Sequence, residues 1–352
     1  MAANEATARG DSHLRWEYEE TPDPGTFVQA VPGFYWLRMP LPFPLAHINL
    51  WLLDDGDGFS IVDCGVNDDN THEIWRQTIS AVTRGASLNR VLVTHMHPDH
   101  VGSAGWLCEA FETDLWMSRE EYLLCRVLTA DTGREAPDAG VTFYRAAGFP
   151  DAALDRYQKM FGMFGRLVAP MPESYIRLQD GDVIELGASQ FEIVVGRGHS
   201  PEHACLFDAE RNLLIAGDQV LPNISSNVSV FPTEPRANPL ADWLDSLRRL
   251  KTRLPDDVLV FPAHGRPFRN VQKRLDQLIQ EHEDGLESLL SLCREPKRAI
   301  DTFPALFRAP IRDSGLIMAT GESLAHLNYL IAAGELECQR DASGVDWYRS
   351  RN

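Results

Sequence analysis

Cysteine is scarce in this chain and poorly placed for cross-linking. Six residues (Cys64, Cys108, Cys125, Cys205, Cys293 and Cys338) are scattered over 352 positions, with no C-x-x-C pair. That argues against a disulfide-stapled framework or a cysteine zinc knuckle, and suits reduced, mostly buried thiols. Basic charge is also short. The 33 Lys and Arg face 51 Asp and Glu, a formal net charge of -18, which disfavours indiscriminate binding to nucleic acid or an anionic membrane surface. No run approaches the roughly 18 uncharged apolar residues of a membrane span. From Met1 to Gly25 the chain is polar and acidic, without the basic start and apolar core of a secretory signal, so a cytoplasmic location is expected. There is no tandem repeat, and no G-x-S-x-G elbow to present a serine nucleophile.

What is present reads as a globular α/β protein. With 44% hydrophobic and 24% charged residues, the chain has ample material for a packed core, as one large domain with an appendage or as two domains. Strand-like runs occur at Phe34–Leu37, Ile48–Leu53 and Phe59–Val62, the last two joined by the hairpin signal Asp54-Asp55-Gly56-Asp57-Gly58. A helical pattern over Asp68–Val82 precedes the apolar strand Val91–Val93, an order typical of layered α/β proteins. Residues 106–172 read as a helical insert. Strands return at Val183–Leu186, Phe191–Val195, Ala204–Phe207, Leu213–Ala216 and Val258–Phe261, the last after a helix over Leu240–Arg253. We expect a polar tail over 1–25, a catalytic domain over 26–267 and a mainly helical extension over 268–352.

The most informative segment is Thr94-His95-Met96-His97-Pro98-Asp99-His100, directly after an apolar strand. Three imidazoles and a carboxylate so close together are costly unless they hold a cation, and this donor set suits zinc, iron or manganese. Three further candidates each follow an apolar strand: His199 in Gly198-His199-Ser200-Pro201-Glu202-His203, Asp218 in Ala216-Gly217-Asp218, and His264 in Pro262-Ala263-His264-Gly265. Strand ends are where open α/β sheets place their chemistry.

With Asp63 in Ile61-Val62-Asp63-Cys64-Gly65, these motifs run in an order that resembles the metallo-β-lactamase superfamily of hydrolases, particularly its glyoxalase II-like branch, over about residues 29–267. The resemblance implies an αββα sandwich with two divalent metal ions at one edge, zinc foremost. Carried over position by position, it implies that His95, His97 and His199 hold one metal, that Asp99, His100 and His264 hold the other, and that Asp218 bridges them. Asp63 would orient ligands from behind the loop, and His203 is expected to be a supporting or structural residue. The implied activity is attack of a metal-bridging hydroxide on the carbonyl of a small ester, thioester or lactone, with Asp99 and Asp218 aiming the nucleophile. A phosphodiesterase or endoribonuclease type of metallohydrolase, and an iron-dependent persulfide dioxygenase-like oxidoreductase, are the alternatives within the same resemblance. The penicillin-cleaving members usually carry cysteine at the bridging position, where Asp218 stands.

Substrate contacts are less legible. In the insert, Phe161 and Phe164 suit either a wall for an apolar acyl group or ordinary helix packing. Asn223, in the loop after Asp218, suits either a substrate contact or a turn. Residues 248–274 carry eight basic and two acidic side chains; Arg266 and its neighbours suit either an anionic thioester or a solvated face. The stretch Glu322–Glu337 resembles the helix and strand of a winged-helix module, and its Glu322, Glu335 and Glu337 make a poor phosphate-binding face. Packing, homodimerisation or pocket closure is expected of it. The expected partner is a small molecule, with neither nucleic acid nor membrane.

Overall fold

The computed structural model describes residues 14–312 and 315–351. Residues 1–13 of the expected polar tail lie outside the described residues, but its second half contains β1 (Arg15–Trp16). Seven strands follow in sheet order: β2 (Phe27–Val31), β3 (Phe34–Pro40), β4 (His47–Asp55), β5 (Gly58–Val62), β6 (Ser87–Leu92), β7 (Asp114–Ser118) and β8 (Ile176–Leu178). The first four pair antiparallel, with β4 and β5 joined through the expected tight turn at Gly56-Asp57. From β5 onward the pairing is parallel. Helices α1 (Asp69–Thr83), α2 (Pro98–Val101), α3 (Ala104–Ala110), α4 (Arg119–Ala130), α5 (Asp138–Ala146) and α6 (Asp151–Met160) lie within this half of the chain. Asp68 starts α1 by accepting the Thr71 backbone N–H at 2.7 Å.

The second sheet has the order β1-β14-β13-β12-β11-β10-β9. It is built from β9 (Val183–Leu186), β10 (Ser189–Gly196), β11 (His203–Asp208), β12 (Leu213–Gly217), β13 (Leu259–Pro262) and β14 (Phe268–Arg269), with α7 (Pro239–Arg253) between β12 and β13. Arg15 pairs with Arg269 and Trp16 with Phe268, so the sheet draws on residues assigned by sequence to the tail and to the extension. Two-residue strands carry too little periodicity to be read. Beyond them come α8 (Val271–Leu292), α9 (Phe303–Leu306), α10 (Leu316–Ala332) and a hairpin of β15 (Leu336–Arg340) and β16 (Asp346–Ser350).

Period two in the strands distributes apolar residues to both faces, and this makes four layers. Phe34, Trp36, Trp51, Leu259 and Phe261 fill the space between the sheets, where Phe34 stacks on Phe261 with ring centroids 4.9 Å apart. Leu37, Met39, Leu50 and Leu52 face the other way, toward Trp75 of α1 and Leu107 of α3. On the second sheet Leu214 and Val260 meet Trp243 and Leu247 of α7, Leu275 of α8 and Leu327 of α10. Burying each large ring or branched side chain contributes about 1.5–3 kcal/mol. The architecture is therefore an αββα sandwich with further helices at its carboxyl end. Among the described residues, no helix is long and apolar enough to cross a membrane.

The expected helical insert over 106–172 needs correction. It contains β7, a strand of the first sheet, and α3 and α4 belong to the outer layer through Leu107, Cys108, Tyr122 and Cys125. Only α5 and α6 form a satellite, around Tyr144, Phe149, Leu154 and Tyr157, with Ile300, Leu316 and Ile317 packed against it.

Helices α8 and α10 meet through a buried pair, His282 Nδ1 to His326 Nε2 at 3.2 Å, and His282 Nε2 reaches Ser225 Oγ at 3.3 Å. Burial, together with the neighbouring His326, lowers His282 from 6.5 to about 3, and burial lowers His326 to about 4. The unfolded chain thus takes up these protons first. Their contribution to stability is complete above pH 6.5 and is lost as pH falls through the folded values, at about 1.4 kcal/mol per pH unit for each histidine. Thermal melts should show a falling Tm below this pH, with a shallower fall in His282→Asn. Equal slopes would refute the assignment.

Candidate metal centre

Four strand ends and one loop deliver the candidate side chains to one edge of the sandwich. Asp63 follows β5, Thr94 to His100 follow β6, Asp218 follows β12 and His264 follows β13, while His199 lies between β10 and β11. The backbone at these exits is sharply turned. Gly217 has φ +49°, and a Cβ there would stand 2.5 Å from His203 Nε2 and 3.1 Å from Thr94 Oγ1, so only glycine fits beneath Asp218. Asp63 itself adopts φ +63°, a conformation that Asp and Asn tolerate better than most residues.

The candidates fall into two adjoining groups. His95, His97, His199 and Asp218 form one, and Asp99, His100 and His264 form the other; within each, the donor atoms lie within 4.8 Å of one another. Asp218 straddles both. Its Oδ2 is 3.4 Å from His199 Nε2, while its Oδ1 is 3.5 Å from both His100 Nε2 and His264 Nε2. Asp99 Oδ2 lies 3.4 Å from His264 Nε2. Four of these atoms, His100 Nε2, His199 Nε2, His264 Nε2 and Asp218 Oδ1, are buried without a hydrogen-bond partner. Converging buried donors and acceptors left unpaired are costly, and a divalent cation satisfies them together. The residues present therefore fit a pair of metal ions.

Three of the imidazoles are aimed by a contact at their other nitrogen. His100 Nδ1 meets Asp63 Oδ2 at 2.7 Å, His199 Nδ1 meets the Asn227 carbonyl at 2.7 Å, and His264 Nδ1 meets the His47 carbonyl at 2.9 Å. A carboxylate or carbonyl only accepts, so the proton sits on Nδ1 and Nε2 faces the cluster. Asp63 also accepts from Thr94 N at 2.8 Å, and His203 Nε2 accepts the Asp218 backbone N–H at 3.0 Å. Asp63 and His203 thus stand behind the cluster.

The electrostatics follow the division of the site. Burial lowers His95, His97 and His203, so they stay neutral. Burial opposes charge on His100 too, but Asp63, Asp218 and Asp99 together outweigh it and raise its pKa; Asp218 and Asp99 do the same for His264. Burial opposes ionisation of Asp218, yet His264 and His100 hold it well below the carboxylate range. Cys64 beside Asp63 is fully buried with its thiol pushed upward by burial, so it offers no nucleophile.

The substrate-contact candidates fare differently. Asn223 is exposed, in the loop beside Gly265. Phe161 packs in the α5–α6 satellite against Tyr157, and Phe164 packs on the core that includes Tyr122 and Val168, so both side chains are engaged in helix packing. Arg266 is turned toward the amino-terminal strand: its guanidinium lies 4.4 Å from the Trp16 ring and donates to the Glu19 carbonyl. Four other members of the basic segment are paired with acids distant in sequence, while Arg249 meets Asp245 one helical turn away. Arg248 meets Glu283, Lys251 meets Asp276, Arg253 meets Glu192 and Arg269 meets Glu17. Buried Arg274 donates to the Leu221 and Ile224 carbonyls instead, clamping the loop after Asp218.

Two groups escaped the sequence reading. Glu121 on α4 is fully buried and accepts from the backbone N–H of Met96 at 2.9 Å and of Glu202 at 2.8 Å, tying the His95–His100 loop to the His199 loop. Its signal was an acid on the same helical face as Cys125. Asn227 supplies the carbonyl behind His199 and resembles any loop asparagine.

This sandwich, with its two His/Asp groups at the strand ends, is the architecture of a metal-dependent hydrolase. Residues 44–264 match the Metallo-beta-lactamase superfamily, and residues 286–351 match the Metallo-beta-lactamase-like, C-terminal domain. The chain belongs to the metallo-beta-lactamase superfamily. It is similar to a beta-lactamase domain protein of Burkholderia ambifaria, at 40% identity and a TM-score of 0.87, covering 96% of this chain and 97% of that one. It also resembles the metallo-beta-lactamase family protein TTHA1429 of Thermus thermophilus, at 27% identity and a TM-score of 0.76, over 91% and 99% of the two chains. The probable metallo-hydrolase YqjP of Bacillus subtilis (strain 168) is 25% identical over 306 residues, 84% of this chain and 91% of that protein.

Proposed function

We propose that the chain is a dinuclear metal-dependent hydrolase of small carboxylic thioesters and esters. The observation that carries this reading is Asp218 set between the two groups, with buried Nε2 atoms unpaired on either side. His95, His97, His199 and Asp218 would hold one ion, and Asp99, His100, His264 and Asp218 the other, with zinc the first expectation for this donor set. Such a pair supplies Lewis acidity and an activated water at neutral pH. The protein's own part is to keep His95 and His97 neutral, to direct His100, His199 and His264 through Asp63, Asn227 and His47, and to hold Asp218 ionised.

The choice of acyl substrate is supported by more distant relatives whose names state one. These are the atrochrysone carboxyl ACP thioesterase of Aspergillus fumigatus (24% identical, 77% of this chain, 52% of that protein), the acyl-coenzyme A thioesterase MBLAC2 of Bos taurus (24%, 53% and 63%) and the hydroxyacylglutathione hydrolase GloC of Haemophilus influenzae (24%, 51% and 69%). The last keeps the glyoxalase II-like branch in view. Because Arg248, Lys251, Arg253 and Arg269 are spent on internal ion pairs, selectivity is expected to rest on the acyl group more than on an anionic carrier. A panel of acyl-coenzyme A, S-acylglutathione, p-nitrophenyl ester, lactone and bis-p-nitrophenyl phosphate tests this. An acyl thioester should exceed the phosphate diester in kcat/KM by about tenfold or more, a transition-state preference of at least 1.4 kcal/mol. Preference for the diester would overturn the reading in favour of a phosphodiesterase.

A further inference from the structure

Helix α10 lies outside every strand-end motif, yet it docks on the loop that follows Asp218. The Val230 N–H donates to the Gly321 carbonyl at 3.0 Å, and Asn328 Nδ2 donates to the Ala237 carbonyl at 2.9 Å. Gly321 permits the approach, since a Cβ there would stand 2.6 Å from Ser229 Oγ. In this seat the Glu322 carboxylate accepts from Asn227 Nδ2 at 2.7 Å. The Asn227 carbonyl in turn meets His199 Nδ1 at 2.7 Å, and the opposite nitrogen of that ring, buried and unpaired, faces Asp218 Oδ2 at 3.4 Å.

We propose that Glu322 is a positioning residue of the metal centre: it fixes Asn227, and through the Asn227 carbonyl it fixes the ring orientation and tautomer of His199. The extension thereby completes a site whose ligand atoms all come from the sandwich. A histidine ligand needs its second nitrogen held, and removing such support typically lowers metal affinity by about 10–100-fold. The Asn227 carbonyl lies in a loop, so its direction depends on what anchors the side chain and flanking residues. Glu322 and the Gly321 contact provide that anchor from one turn of one helix. This inference rests on reading His95, His97, His199 and Asp218 as a metal site.

The test is competition for Zn2+ between the apo-protein and a chromophoric chelator, read alongside far-UV circular dichroism. Glu322→Ala should weaken one of the two binding events by about 10–100-fold, while Glu322→Gln, whose amide oxygen still accepts from Asn227, should remain near the parent protein. At a pH high enough to ionise both carboxyls, Asn227→Asp should match the alanine variant, because two carboxylates then face each other; burial already raises Glu322 to about 7. The double variant N227D/E322Q should recover, since the new amide donates to the new carboxylate. An unchanged affinity in Glu322→Ala, or a double variant no better than Asn227→Asp alone, overturns the positioning role. Should Glu322→Ala fail to fold, the Asn227→Asp comparison with the double variant decides. A parent protein that binds no Zn2+ would instead overturn the metal centre itself, which separates the two failures.

Discussion

Asp218→Ala should lower turnover by about 10³-fold and reduce bound metal below the roughly two ions per chain expected of the parent. Both effects follow from position. Asp218 is the one carboxylate that reaches both groups, with Oδ2 toward His199 and Oδ1 toward His100 and His264. Alanine removes both oxygens, so neither group keeps its full donor set. The backbone beneath is unaffected by the change, because its N–H still donates to His203 and the φ +49° turn belongs to Gly217. The folded state should therefore survive, as catalytic side chains are commonly held at some cost to stability. Metal content after mild purification, melting temperature and initial rates on the best ester or thioester settle the matter together. An intact rate with intact metal would sink the assignment.

The parts of this site that were legible in the sequence are those that follow a buried strand. Val91 to Val93, Leu213 to Ala216 and Val258 to Phe261 are apolar because both faces of each strand are covered, so the polar residues that end them stand out. His95, Asp218 and His264 are found that way, and the structure brings them together. Two acids that brace the ligand loops were illegible for a physical reason. Glu121 and Glu322 sit on helices, where an acid normally reads as solvent-facing, and only tertiary packing turns them inward. The basic run over 248–274 left two readings open for a related reason. Its neighbours in sequence include His264, but its neighbours in space are Glu17, Glu192, Asp276 and Glu283, and ion pairs of that kind cannot be assigned from spacing. The strands β1 and β14 escaped for want of length, and β7 because five residues between two helices show little alternation.

Asp63→Asn is expected to damage either metal binding or the fold beneath it, although it conserves shape. Asparagine tolerates the φ +63° backbone found here, so the strand exit should keep its form. The change lies in hydrogen-bond polarity. Asp63 accepts three times: from the Thr94 backbone N–H at 2.8 Å, from the Thr94 hydroxyl at 2.9 Å and from His100 Nδ1 at 2.7 Å. An amide can accept on only one side. If its oxygen faces Thr94, its NH2 faces His100 Nδ1, which must then accept; the imidazole proton moves to Nε2 and points at Asp218 Oδ1. If the amide turns round, donor meets donor at Thr94 N in a fully buried place, at a cost of about 1–3 kcal/mol. Metal affinity on the His100 side should fall toward 100-fold in the first case. The second should appear as a lower Tm with affinity largely kept. Excess Zn2+ should restore most activity to Asp63→Asn, because the residue acts by holding His100 and does not reach the substrate. A variant that binds metal as the parent does, yet stays inactive at saturating Zn2+, would show instead that Asp63 takes part in the chemistry.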